Sequence, residues 1–291
     1  MTEEPTADRV RLRFDIAYDG TDFHGWARQK DPALRTVQAV IEDALTLVAR
    51  EPIHLTVAGR TDAGVHALGQ VAHCDFPRPA LEQRSLSGDP GRLVRRLAKL
   101  LDPDVSIRSV AVAPEGFDAR FSALSREYVY RVTTHPAGPL PQRVRDTAKW
   151  GRSVDLELMQ ATADTLVGLH DFAAFCRAKP HATTIRELHE FRWRDVSTET
   201  EPQVYEATVV ADAFCWNMVR SLVGCCLTVG QGKKTLEFPE AMLSEKARHP
   251  EVPLAPACGL TLVRAVYPDE QRLQERAEMT RARRELPDGR R

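Results

Sequence analysis

Apolar and polar residues alternate from Arg11 to Tyr18. Leu12, Phe14, Ile16 and Tyr18 fall on one face, with Arg11, Arg13 and Asp15 on the other. A period of two predicts a half-buried strand, and the polar run Asp19-Gly20-Thr21-Asp22 predicts the turn that follows it. Thr36 then stands as an N-cap before Val37, Val40, Ile41, Ala44, Leu45 and Val48, an amphipathic helical stripe. Ile53, Leu55 and Val57 predict a second strand, broken at Gly59 to Gly64, and Leu68 to Phe76 predict a third. Leu93, Leu97, Leu100 and Leu101 mark a further helix, and Val105 and Ile107 open a fourth strand.

The second half of the chain has the same style. Tyr128, Tyr130 and Val132 share one face of a strand, and Leu156, Met159, Ala163, Leu166 and Val167 suit a helix. His189 to Val196 and Val204 to Val210 read as two strands joined across the polar Ser197 to Pro202 turn. Met218, Val219, Leu222 and Val223 fit a helix, and Leu262 to Tyr267 a closing strand. The order of elements predicts an α+β fold of two ferredoxin-like (split βαβ) halves, with mainly antiparallel sheets, helices on one face and a cleft between the halves. The expected organisation is a disordered tail over 1–9, an N-terminal half over 10–115, a C-terminal half over 116–269 and a charged tail over 270–291. That last segment is rich in Arg and Glu, as a peripheral helix or a disordered tail would be.

Composition adds exclusions. The 291 residues are 43% hydrophobic and 28% charged, the balance of an ordinary globular protein. No apolar run approaches the roughly 20 residues needed to span a bilayer, and Met1 to Arg9 lacks the apolar stretch of a secretory signal, so no membrane contact and a cytoplasmic location are expected. The six cysteines, Cys74, Cys176, Cys215, Cys225, Cys226 and Cys258, include no C-x-x-C pair and read as buried thiols of a reducing compartment, neither a disulfide framework nor a metal site. His66 and His73 also lack metal-ligand spacing, so no metal is expected. A net charge of −1 makes no global case for a nucleic-acid partner. Local features must carry it.

One such feature is Gly59-Arg60-Thr61-Asp62-Ala63-Gly64, set between two predicted strands. Its glycines permit tight geometry and close approach of a ligand. Arg60 and Asp62 place opposite charges on a loop held by a sheet, a common position for functional groups. The plainer reading is an Asx-type turn with a solvated arginine. Residue chemistry alone leaves both open.

The wider pattern resembles a known family. Val57 to Ala67, followed by Gly69-Gln70-Val71, resembles the signature of the TruA-type tRNA pseudouridine synthases. Further blocks follow in that family's order. They are Tyr18-Asp19-Gly20-Thr21 with Phe23, Gly25, Trp26 and Gln29; Thr36-Val37-Gln38; and Phe117 with Ala119 to Ala123, Arg126, Tyr128 and Tyr130. Asp171-Phe172 with Phe175, Met218-Val219-Arg220 with Val223-Gly224, and Ala255-Pro256 with Gly259-Leu260 complete the series. The resemblance runs from about residue 10 to 268. Two departures stand out: Asn217 replaces a usual histidine, and Leu97-Ala98 a usual Leu-Asn ahead of Asp102-Pro103-Asp104.

The resemblance implies isomerisation of uridine to pseudouridine in the anticodon stem-loop of tRNA (conventional positions 38 to 40), by a homodimer without a cofactor. It implies Asp62 as the catalytic carboxylate, Arg220 as its ionic partner, Tyr128 as the residue stacked on the target base and a possible general base, Arg60 as an aid to base flipping, and Leu260 as an apolar wall. A plain reading stands beside each role: Tyr128 as core, Arg220 as a structural ion-pair partner, His66 as a structural histidine. Separately from the resemblance, Arg92, Arg95 or Arg96, and Lys99 share a helical face opposite Leu93, Leu97 and Leu100, a stripe suited to phosphates or simply to solvent. Arg177, Lys179 and His181 form a second basic cluster. Other readings are a synthase acting on another RNA, a non-catalytic RNA-binding module, and a carboxylate glycosidase, which would want a second cooperating acid.

Overall fold

The computed structural model of the chain describes residues 8–177 and 183–281, so the expected tails are covered only as far as Asp8 and Arg281. In chain order the elements are β1 (Arg9–Tyr18), α1 (Val37–Ala49), β2 (Thr56–Val57), β3 (His66–Pro77), α2 (Arg78–Leu81), α3 (Arg92–Leu97) and β4 (Val105–Val112). There follow β5 (Ser125–Thr133), β6 (Ala148–Lys149), α4 (Leu156–Leu166), β7 (Gly168–Asp171), β8 (Ile185–Asp195), β9 (Val204–Ala211), α5 (Met218–Gly230), α6 (Phe238–Ser244), β10 (Leu260–Val266) and α7 (Leu273–Arg281). The fold is α+β and its strands pair mainly antiparallel, as the element order predicted.

Two compact units divide the chain. One takes in Met1–Leu124 and resumes at Leu262; the other is built on Ser125–Thr261. In the first, strands lie in the order β4-β1-β3-β10, with β2 on β3. Central β1 alternates strictly between half-buried and buried positions, and Leu12, Phe14 and Ile16 are fully enclosed. Thr36 caps α1, accepting the Ala39 N–H at 3.3 Å, and Ile41 and Leu45 bury its apolar stripe. Helix α7 belongs to this unit. Leu273 joins a core cluster with Ala58, Val71, Phe117 and Ala119.

In the second unit the order is β5-β9-β8-β7, with β6 added parallel to β5. Helix α5 is buried along nearly its whole length. Gly224 permits this: a β-carbon there would run into the carbonyl of Pro253.

Three expectations need correction. Ile53 and Leu55 are buried but form no ladder, because their N–H groups bond to side chains of α1: Ile53 to Thr46 at 3.2 Å and Leu55 to Glu42 at 2.9 Å. The leucine periodicity through Leu101 overstates α3, which ends at Leu97 in a turn where Leu101 N–H bonds to Leu97. Pro103 disfavours helical backbone at Asp102 and so limits any continuation. Cys176 and Cys215 are disulfide-bonded, with α-carbons 5.8 Å apart and a sequence separation of 39. The two chain segments run side by side there, Arg177 N–H bonding to the Trp216 carbonyl at 2.9 Å. Cys74, Cys225 and Cys226 are buried free thiols, as expected. No helix among the described residues is long and apolar enough to cross a membrane.

Candidate active site

The loop from Gly59 to Val65 leaves β2 and enters β3, and the antiparallel pairing continues to its threshold, Ala58 N–H bonding to Val71 at 2.8 Å. Its path is then fixed by the segment after β1. Trp26 N–H donates to the Thr61 carbonyl at 3.0 Å, Gly64 N–H to Phe23 at 3.3 Å, and Val65 N–H closes on Asp62 at 3.2 Å. Gly20 and Gly25 make these approaches possible. A β-carbon at Gly20 would overlap the Val65 carbonyl, and Gly25 adopts a φ of +91° against Thr61 and Ala63. The motif glycines ahead of α1 therefore serve the loop more than their own turn.

Within this frame Thr61 is buried, Asp62 half-buried and Arg60 exposed. A half-buried carboxylate on a backbone pinned on both sides can be aimed at a bound group while keeping access to it. His66 is buried, and its Nδ1 accepts the Gly20 N–H at 3.0 Å, which supports the structural reading. Beneath the loop Tyr18 is buried, and burial holds its phenol neutral, raising the pKa to about 12.

The remaining expected site residues belong to the second unit. Tyr128 lies on the buried face of β5 with Arg126, Tyr130 and Val132, its ring set edge-on to Phe214 at 5.2 Å. Arg220, in the first turn of α5, donates from Nε to the Ala255 carbonyl at 2.7 Å and receives the Ala255 N–H on its own carbonyl at 3.1 Å. Tyr130 donates its hydroxyl to the next carbonyl, Pro256, at 3.0 Å. Burial raises the Tyr130 phenol well above its usual range, so it stays a donor. Together these bonds fix the Ala255-Pro256 segment that leads to buried Leu260. Arg220 and Leu260 thus flank one braced segment, to which Tyr130 is an unforeseen contributor, and Tyr128 shares the buried face of β5 with Tyr130.

Asn217, the departure ahead of α5, sits at φ 70°, ψ 2°, a left-handed conformation that asparagine tolerates better than most residues. The basic stripe is exposed: Arg92, Arg95 and Arg96 lie within α3, and Lys99 in the following turn. Arg92 also pairs with Asp89 at 3.7 Å. In the second basic cluster Arg177 lies 4.4 Å over the Trp216 ring; Lys179 and His181 fall outside the described residues.

The frame is α+β with mainly antiparallel strands, and kinship of sequence gives the class. The profile described as tRNA pseudouridine synthase matches residues 16–121 and 162–268, and the chain belongs to that family. Among curated relatives, it is 63% identical to the tRNA pseudouridine synthase A of Corynebacterium glutamicum, over 96% of each chain. The proteins of the same name from Frankia casuarinae and Mycobacterium leprae are 54% and 48% identical, covering 94% and 97% of this chain and 95% and 98% of theirs.

Proposed function

We propose that this chain converts uridine to pseudouridine in tRNA, with Asp62 as the catalytic carboxylate. The observation that carries the reading is the attachment of Asp62 to a loop held on both sides by the Trp26, Phe23 and Val65 bonds. In the isomerisation the N1–C1′ bond breaks, the base turns, and C5 joins C1′. The proton on C5 is lost and one is gained on N1, so nothing is oxidised and no group is added. A single aimed carboxylate can serve by attacking C6 of the base or C1′ of the ribose, or by assisting elimination to a glycal.

The other roles follow from family kinship and from what each side chain can do. Arg220 pairs with Asp62, keeping it ionised and oriented. Tyr128 stacks on the extruded base and takes the C5 proton. Arg60, exposed beside the carboxylate, fills the space the flipped base leaves. Leu260 closes the pocket with an apolar wall. Arg92, Arg96 and Lys99 meet backbone phosphates. The substrate positions are 38 to 40 of the anticodon arm, and the working form is a cytoplasmic homodimer.

Incubating the protein with unmodified tRNA transcripts, followed by base-resolved pseudouridine mapping, tests this. Product confined to positions 38 to 40 is expected. Product only in another RNA would move the reading to a different substrate, and binding without product would reduce the chain to an RNA-binding module.

A further inference from the structure

Beneath the Asp62 loop, Gln70, Tyr18 and Thr61 form a buried chain of hydrogen bonds. Gln70 lies on β3 and has no exposed surface. Its Nε2 is 2.7 Å from the Gly59 carbonyl, which can only accept, while Oε1 faces the Val71 N–H at 3.2 Å, which can only donate. Both contacts fix the same amide orientation. Nε2 also points at the Tyr18 hydroxyl oxygen, 3.2 Å away. Tyr18 accepts there, and its hydroxyl, which keeps its own proton, bonds to Thr61 Oγ1 2.8 Å away, where either oxygen can donate. At the pKa of about 12 that burial gives Tyr18, this proton is not lost at any working pH.

We propose that Tyr18 is a positioning residue for pseudouridine formation: with Gln70 it staples Gly59 and Thr61 to the sheet and so fixes the aim of the intervening Arg60 and the adjoining Asp62. The inference rests on the reading of Asp62 as the catalytic carboxylate. Tyr18 and Gln70 stand on neighbouring strands, β1 and β3, which pair antiparallel from Arg9↔Pro77 to Ile16↔Gln70, with one register shift before Tyr18↔Ala67. Main-chain bonds from Trp26 and Gly64 hold the outer side of the loop. The Tyr18 hydroxyl holds the inner side, at the residue next to the carboxylate. A shift of that residue by an ångström moves the carboxylate by as much.

The test uses the full chain with a tRNA transcript and compares Tyr18→Phe, Thr61→Val, Thr61→Ser and Asp62→Ala by single-turnover rate, tRNA Kd and thermal midpoint. Tyr18→Phe and Thr61→Val should each slow the chemical step on the order of ten- to a hundredfold while leaving tRNA affinity unchanged. Their combination should be no slower than the slower single variant, because both break one link. Thr61→Ser, which keeps the hydroxyl, should retain the parent rate. A purely structural role would lower the midpoint without slowing folded enzyme. Full-rate Tyr18→Phe beside an inactive Asp62→Ala would overturn the inference alone, as would a loss confined to Kd or an additive double variant. An active Asp62→Ala would overturn the reading beneath it.

Discussion

The α-carbon of Gly25 stands so close to Thr61 that a β-carbon there would lie 2.9 Å from the Thr61 carbonyl oxygen. That carbonyl already receives the Trp26 N–H, so it cannot retreat without releasing the loop. Gly25→Ala meets this clash and adds left-handed strain at φ +91°. We expect a loss of about 1–3 kcal/mol in denaturant unfolding, with slower turnover in the folded fraction. A variant as stable and active as the parent would show that the loop does not depend on this approach.

His73, on β3, is held neutral. Burial lowers its pKa to about 4, the nearby Arg11 guanidinium adds to the effect, and Asp118 and Asp75 oppose it. Its Nδ1 accepts the Ala119 N–H at 3.0 Å, which protonation would forbid. The unfolded chain binds this proton near pH 6.5 and the folded chain only near pH 4. The stabilisation is therefore complete above about pH 6.5 and is lost as pH falls toward 4. Over that window it amounts to roughly 3 kcal/mol. His73→Gln should flatten the acid limb of the stability curve relative to the parent; identical slopes would contradict the assignment.

The disulfide between Cys176 and Cys215 leaves four free cysteines. Thiol titration of unreduced protein in denaturant should count four groups, rising to the six of the sequence after reduction. Six groups before reduction would mean that the pair is open.

Arg96 and Lys99 are exposed at the end of α3, where phosphate contacts would be additive and screened by salt. Replacing both with alanine should weaken tRNA binding and flatten the log–log salt dependence by about 1.4–1.8. An unchanged slope would return the stripe to solvent.

What could be read from the sequence was local. Thr36 announced α1 because capping is decided within three residues, and alternation from Arg11 to Tyr18 gave β1 because one face is buried throughout. The failures came where distant partners decide. Ile53 and Leu55 alternate like a strand, yet Thr46 and Glu42 take their N–H groups. Cys176 and Cys215 carry no spacing signal across 39 residues. In the site, the Asp62 loop was visible as a motif, and resemblance named its companions. The staple was not legible, since Tyr18 reads as one more apolar position on a strand and its partner Thr61 lies 43 residues away.

The assignment of the chemistry to Asp62 is tested by single-turnover pseudouridine formation on a saturating tRNA transcript by the parent chain and by Asp62→Ala, with tRNA Kd determined for both. Asp62→Ala should bind tRNA with the parent's affinity and form no pseudouridine over times in which the parent converts its target fully. Pseudouridine formed by Asp62→Ala at a comparable rate would take the chemistry away from Asp62.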